Sequence, residues 1–92
     1  MNIHEIYRKI EISYNDCYDS PWVYFNSVLQ NIYDDLNKKY FNNKLSIKVE
    51  DDFINIDGIE YSVMDSLYYL ERIHELQQIK MKIVNINRNV LT

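Results

Sequence analysis

Ile54-Asn55-Ile56-Asp57-Gly58-Ile59-Glu60-Tyr61 is the stretch on which the reading of this chain turns. Apolar and polar residues alternate on both sides of Asp57-Gly58, which is the period of a strand with one buried face. Asp-Gly suits a two-residue hairpin turn because both central positions need positive φ. With the turn there, Ile56 faces Ile59 and Ile54 faces Tyr61. Upstream, Leu45, Ile47 and Val49 alternate with Ser46, Lys48 and Glu50. A turn at Asp51-Asp52 sets Val49 against Ile54 and Ile47 against Ile56, although Asp-Asp is a poorer turn pair and the connection is allowed to be longer. All the apolar residues then share one face, and a slip of one residue would scatter them over both. A three-stranded antiparallel meander follows, with strands at about 45–50, 53–56 and 59–63.

An apolar sheet face needs a cover. From Ser62 to Thr92 there is no Gly or Pro, and Ile73, Leu76, Ile79, Ile83, Ile86 and Val90 recur in heptad-like steps of three and four. This spacing predicts a long amphipathic helix over about 65–88, its first half lying on the meander. The β-branched residues and Asn between 80 and 90 are weak helix formers, so a fourth strand is the alternative there; the unbroken steps favour helix. On the N-terminal side, Ser20-Pro21 reads as an N-cap followed by the first helical position. Trp22, Phe25, Val28, Leu29, Ile32, Tyr33, Leu36 and Tyr40 continue it as an apolar face, and Asn42-Asn43 is a stop signal, giving a helix at about 21–41. Asn2 and Glu5 form a capping-box pair before Ile3, Ile6, Tyr7, Ile10 and Tyr14, giving a helix at about 3–14. Asn15 to Ser20 reads as loop. The expectation is a single α+β domain over 1–92 in the order ααβββα.

Ninety-two residues, 47 % hydrophobic with a net charge of −4, place the chain among folding rather than disordered sequences. A domain this small buries only roughly 60–65 % of the surface of its unfolded chain, so its stability margin is expected to be thin. One cysteine, Cys17, cannot form an internal disulfide, and the N-terminus lacks the basic start and apolar run of a secretion signal. A cytoplasmic setting is expected. No stretch approaches the length of a transmembrane helix.

Chemistry-bearing patterns are few. His4 and His74 stand alone, and His74, between Ile73 and Leu76, reads as a packing or surface residue. Cys17 has no basic flank to lower its pKa. Asn55-x-Asp57-Gly58 resembles the middle of a calcium loop, but Phe53 and Met64 stand where the first and twelfth carboxylates belong. A single glycine rules out a glycine-rich phosphate loop. No enzyme activity, cofactor or metal is expected. Direct nucleic-acid binding is disfavoured, because the ten basic residues form no concentrated stripe.

Ile54-Asn55-Ile56-Asp57-Gly58-Ile59-Glu60-Tyr61, with Ile73-His74-Glu75-Leu76-Gln77 and Arg88-Asn89, resembles a group of small uncharacterised phage proteins. These carry a hairpin reading I-x-I-D-G-x-E-Y, a long helix reading I-x-E-L-Q, and then R-N. The resemblance covers residues 54–91, less than half of the chain, and Tyr68-Tyr69 replaces a more polar helix start. It implies a hairpin, a coiled-coil-like helix and a phage setting, and assigns no site residues.

Between Glu50 and Glu71 the sequence has acids at Glu50, Asp51, Asp52, Asp57, Glu60, Asp65 and Glu71 and no Lys or Arg, whereas after Glu75 only Lys80, Lys82 and Arg88 are charged. The simplest account is a solvated hairpin and a helix whose C-terminal cations suit its dipole. The alternative is an acidic face, with Tyr68, that engages a host protein through a basic nucleic-acid-binding surface. On that reading, which is the function expected of the chain, it is a non-enzymatic protein-binding inhibitor of the anti-CRISPR kind, carried by a phage or mobile element. The competing expectation is an assembly module that forms a homodimer through Leu76, Ile79, Ile83, Ile86 and Val90.

Overall fold

The computed structural model describes the backbone of residues 1–51 and 53–91, and side chains through residue 84 apart from Asp52. Asp52, Ile86 and Val90, named above as contact positions, have side chains outside the described residues. The elements are α1 (Ile3–Asp16), α2 (Trp22–Phe41), β1 (Ile47–Val49), β2 (Ile54–Ile56), β3 (Ile59–Tyr61) and α3 (Val63–Leu91), in the expected α+β order ααβββα.

Each helix begins where a side chain or a ring fixes the first turn. Asn2 Oδ1 accepts the N–H groups of His4 and Glu5 at 3.1 and 3.2 Å, so α1 starts as the sequence predicts. It runs past Tyr14 to Asp16, because Cys17 is buried in the core and its N–H closes the last turn on Ser13 and Tyr14. The start of α2 is shifted by one residue. Pro21, not Ser20, is the N-cap; its extended ψ of 143° keeps it outside the helix, and its carbonyl accepts the Tyr24 N–H at 2.9 Å. Asn42 ends α2 in the left-handed region, with φ of 52°. Ser62, expected as strand, instead caps α3: its Oγ accepts the Asp65 N–H and its carbonyl the Ser66 N–H, so β3 stops at Tyr61 and α3 starts at Val63. Helix rather than strand then continues to Leu91.

The sheet order is β1-β2-β3 and both pairs are antiparallel, with Ile47 opposite Ile56, Val49 opposite Ile54, Ile54 opposite Tyr61 and Ile56 opposite Ile59, as expected. Asp57 and Gly58 have φ of 50° and 91°, the mirror-image turn geometry that Asp-Gly predicts. The strands are shorter than expected. At the β1–β2 connection, Glu50 and Phe53 exchange backbone hydrogen bonds at 2.8 and 3.2 Å, the closure of a short connection.

The cover of the sheet departs from expectation. α2 packs on β1, while α3 packs on β2 and β3, so two helices share the apolar face. α2 reaches β1 through two side-chain amides. Gln30 Nε2 donates to the Ile47 carbonyl (3.0 Å) and its Oε1 accepts the Val49 N–H (2.7 Å). Two turns later, Asn37 Nδ2 donates to the Leu45 carbonyl (2.7 Å) and its Oδ1 accepts the Leu45 N–H (3.2 Å). The outer edge of β1 is thus bonded to a helix. Ile54, Ile56, Leu67, Leu70 and Tyr33 are fully buried at the centre of the core, whereas Ile59, expected on the covered face, is exposed at the turn end of the outer strand β3.

Candidate interaction surface

α3 carries two different faces. Its first half presents Ser66, Leu67 and Leu70 to the core, and His74 packs edge-on against Tyr40 and Phe41 of α2 with centroids 5.1 and 6.1 Å away. His74 is therefore a packing residue. Farther along, Gln77, Lys80 and Met81 line a groove of about 280 Å³ with Tyr40, Phe41 and Lys44. On the helix, the seam of Leu76, Ile79 and Ile83 lies roughly 150° away from the core-facing side. These three side chains are 52, 53 and 53 % exposed. From Leu76 to Leu91 the helix is about 24 Å long, and the molecule extends 61 Å along its longest axis against 25 and 19 Å across. The seam ends upstream where Asp65 and Arg72 take the same side of the helix.

The acids do not form one face. Asp51 sits at the β1–β2 connection and Asp57 at the β2–β3 turn, at opposite ends of the sheet and roughly 15 Å apart along β2. Asp57 is also engaged locally, since its Oδ1 accepts the Ser46 N–H and its own N–H donates to the Ser46 carbonyl, both at 2.9 Å. Glu60 is opposite Asn55, itself opposite Lys48, on the polar face of the sheet. Glu71 lies about 200° around α3 from Tyr69, whose ring stacks on Tyr61 of β3 with centroids 4.9 Å apart. Beside this stack the Tyr61 hydroxyl is held above its ordinary pKa, first by desolvation and then by the neighbouring Tyr69 and Asp57.

One end of the sheet does gather several of the expected residues. β3 returns to the Asp51 end of the sheet before Ser62, so α3, with Asp65 and, one turn later, Tyr68, starts at the end that also carries Glu50 and Asp51; all four are exposed. Trp22 is not singled out by the sequence for a surface role. Its indole Nε1 donates to the Asp51 carbonyl at 3.1 Å, and its ring meets Tyr14 and Phe25 with centroids 6.5 and 5.5 Å apart. Trp22 and Tyr14 are nonetheless about half exposed.

Comparisons with family models, with curated proteins and with solved structures return no match. Among the described residues, no three His, Cys, Asp or Glu side chains are grouped to hold a metal ion. No described helix is long and apolar enough to cross a membrane.

Proposed function

We propose that this chain is an assembly module that self-associates through α3 beyond Leu76, binding rather than catalysing. One observation carries the reading: Leu76, Ile79 and Ile83 are each more than half exposed on the side of α3 that faces away from its own core. Apolar side chains in heptad steps on a projecting helix are the pattern that packs against the same seam of another helix. Sedimentation velocity at micromolar to submillimolar concentration tests it. The parent chain is expected to assemble, and Ile83→Lys to return it to a monomer with unchanged helix content. A monomer throughout that range overturns the reading.

A second reading is favoured by Trp22, whose indole is held by the Asp51 carbonyl at the end of the sheet that also carries Glu50 and the start of α3 with Asp65. This end offers an exposed aromatic anchor together with exposed acids, a combination that suits a basic protein surface. The partner class is a host protein that handles nucleic acid, and the role is inhibition of the anti-CRISPR kind in a phage setting. Reversal of Glu50, Asp51 and Asp65 to Lys should abolish binding to a basic partner captured from host lysate, while Asp57→Asn leaves it intact. Retained binding by the triple reversal rejects this reading.

A further inference from the structure

Charge along the arm distinguishes between the ways in which copies of the chain could pair. With Leu76 and Ile83 at a and Ile79 at d, Glu75 falls at g, Lys80 at e and Lys82 at g of the next heptad, and all three are exposed. In a parallel, in-register alignment each g residue faces the e residue five positions on in the neighbouring helix. Glu75 of one copy then meets Lys80 of the next, at every interface of the bundle. In the antiparallel register that keeps Leu76 in the seam, Ile79 packs on Ile83 of the other copy. That arrangement sets Lys80 against Lys80 and Lys82 against Lys82 across the two-fold axis, with no acid after Glu75 to offset them.

The identity of the seam residues sets the number of strands. Two-stranded coils favour a β-branched residue at a with Leu at d, whereas Leu at a with Ile at d, or Ile at both, shifts the preference to three or four strands. Leu76-Ile79 is the first of these exceptions and Ile79-Ile83 the second. The core of each chain lies on the opposite side of α3 from the seam, so three copies can meet along the seam with their globular parts turned outward. We infer that copies of this chain form a parallel, in-register bundle of more than two helices over residues 76–90, with all the globular ends at one end of the bundle. This rests on the self-association reading and adds orientation and strand number to it.

The test uses the full chain with Ile83→Cys, in which native Cys17 stays buried and the parent chain serves as the no-crosslink control. Mild oxidation is expected to give disulfide crosslinks between the thiols introduced at position 83 of neighbouring copies, and sedimentation equilibrium a mass above that of two chains. Lys80→Glu should weaken assembly about fivefold, and Glu75→Lys combined with Lys80→Glu should restore it. Crosslinking only when Ile79→Cys and Ile83→Cys chains are mixed, together with tighter assembly of the neutralised Lys80→Gln, would overturn the parallel orientation while leaving self-association standing. A mass of two chains overturns the strand number. A monomer at every concentration, with circular dichroism showing a folded chain, removes the self-association reading itself.

Discussion

The Tyr33 hydroxyl lies 2.5 Å from Ser66 Oγ in the centre of the core, and Ser66 Oγ in turn donates to the Val63 carbonyl at 2.6 Å. Tyr33 therefore acts as donor to Ser66, and this short chain of hydrogen bonds ties the middle of α2 to the first turn of α3. The two residues are expected to be unequal under mutation. Tyr33→Phe leaves Ser66 with its own acceptor and should cost about 1 kcal/mol. Ser66→Ala strands the buried phenol with only a 3.5 Å approach to the Val63 carbonyl and should cost more, about 1–3 kcal/mol. Urea unfolding of the two variants checks the order.

The same tyrosine sets an alkaline limit. Desolvation pushes the Tyr33 pKa up to about 12, partly offset by the Ser66 hydrogen bond, against an ordinary value of 10.0. Between these values the unfolded chain loses its proton while the folded one keeps it, so the stability that Tyr33 contributes is complete below pH 10 and is lost as pH rises through about 12. The total is roughly 2–3 kcal/mol. Unfolding midpoints between pH 9 and 12 should fall less steeply in Tyr33→Phe than in the parent.

Asn37 is buried and satisfies both backbone groups of Leu45. Asn37→Ala should destabilise by about 2–3 kcal/mol, because it strands a backbone donor and acceptor as well as removing contacts. Gln30 is only half-buried, so Gln30→Ala should cost about 1 kcal/mol. Hydrogen exchange locates the effect: the Leu45 amide should lose protection in the first variant and the Val49 amide in the second.

With one glycine in the chain, Asn42, Asn43 and Asp57 supply the other positive-φ positions among the described residues. A Cβ at Gly58 would meet no atom within 4 Å, so Gly58→Ala should cost about 1 kcal/mol through backbone strain alone. Asn42→Gly should instead be neutral or stabilising by up to about 0.5 kcal/mol, since glycine carries no left-handed penalty at a helix end. Thermal melts of the pair show whether the two changes have these opposite signs.

The meander is legible in the sequence because the period of two and the Asp57-Gly58 turn constrain the register independently, and the pairing of Ile47 with Ile56 follows from both. The helix ends are less so. Ser62 alternates with its neighbours like a strand residue, yet Ser62-Val63-Met64-Asp65 also has the spacing of a capped helix start, and the cap wins because it satisfies two amides. The role of α2 as cover for β1 escapes the apolar pattern. Its signal is present in Gln30 and Asn37, two amides seven residues apart at the margin of an apolar face, which a strictly apolar count passes over. The clustering of acids along the sequence does not become clustering in space, since a meander that reverses twice sends Asp51 and Asp57 to opposite ends.

Gln30 and Asn37 also bear on how this protein avoids its own polymerisation. A row of unpaired N–H and C=O groups on an outer strand is a template for another chain, and small three-stranded sheets have little else to protect them. Here two amides borrowed from a neighbouring helix imitate the missing strand, giving three strands on that side the closure of four. Fibril growth by strand addition is obstructed along β1. Loss of both amides would then weaken the fold and expose a seeding edge at the same time, so the double variant should aggregate faster than variants equally destabilised elsewhere.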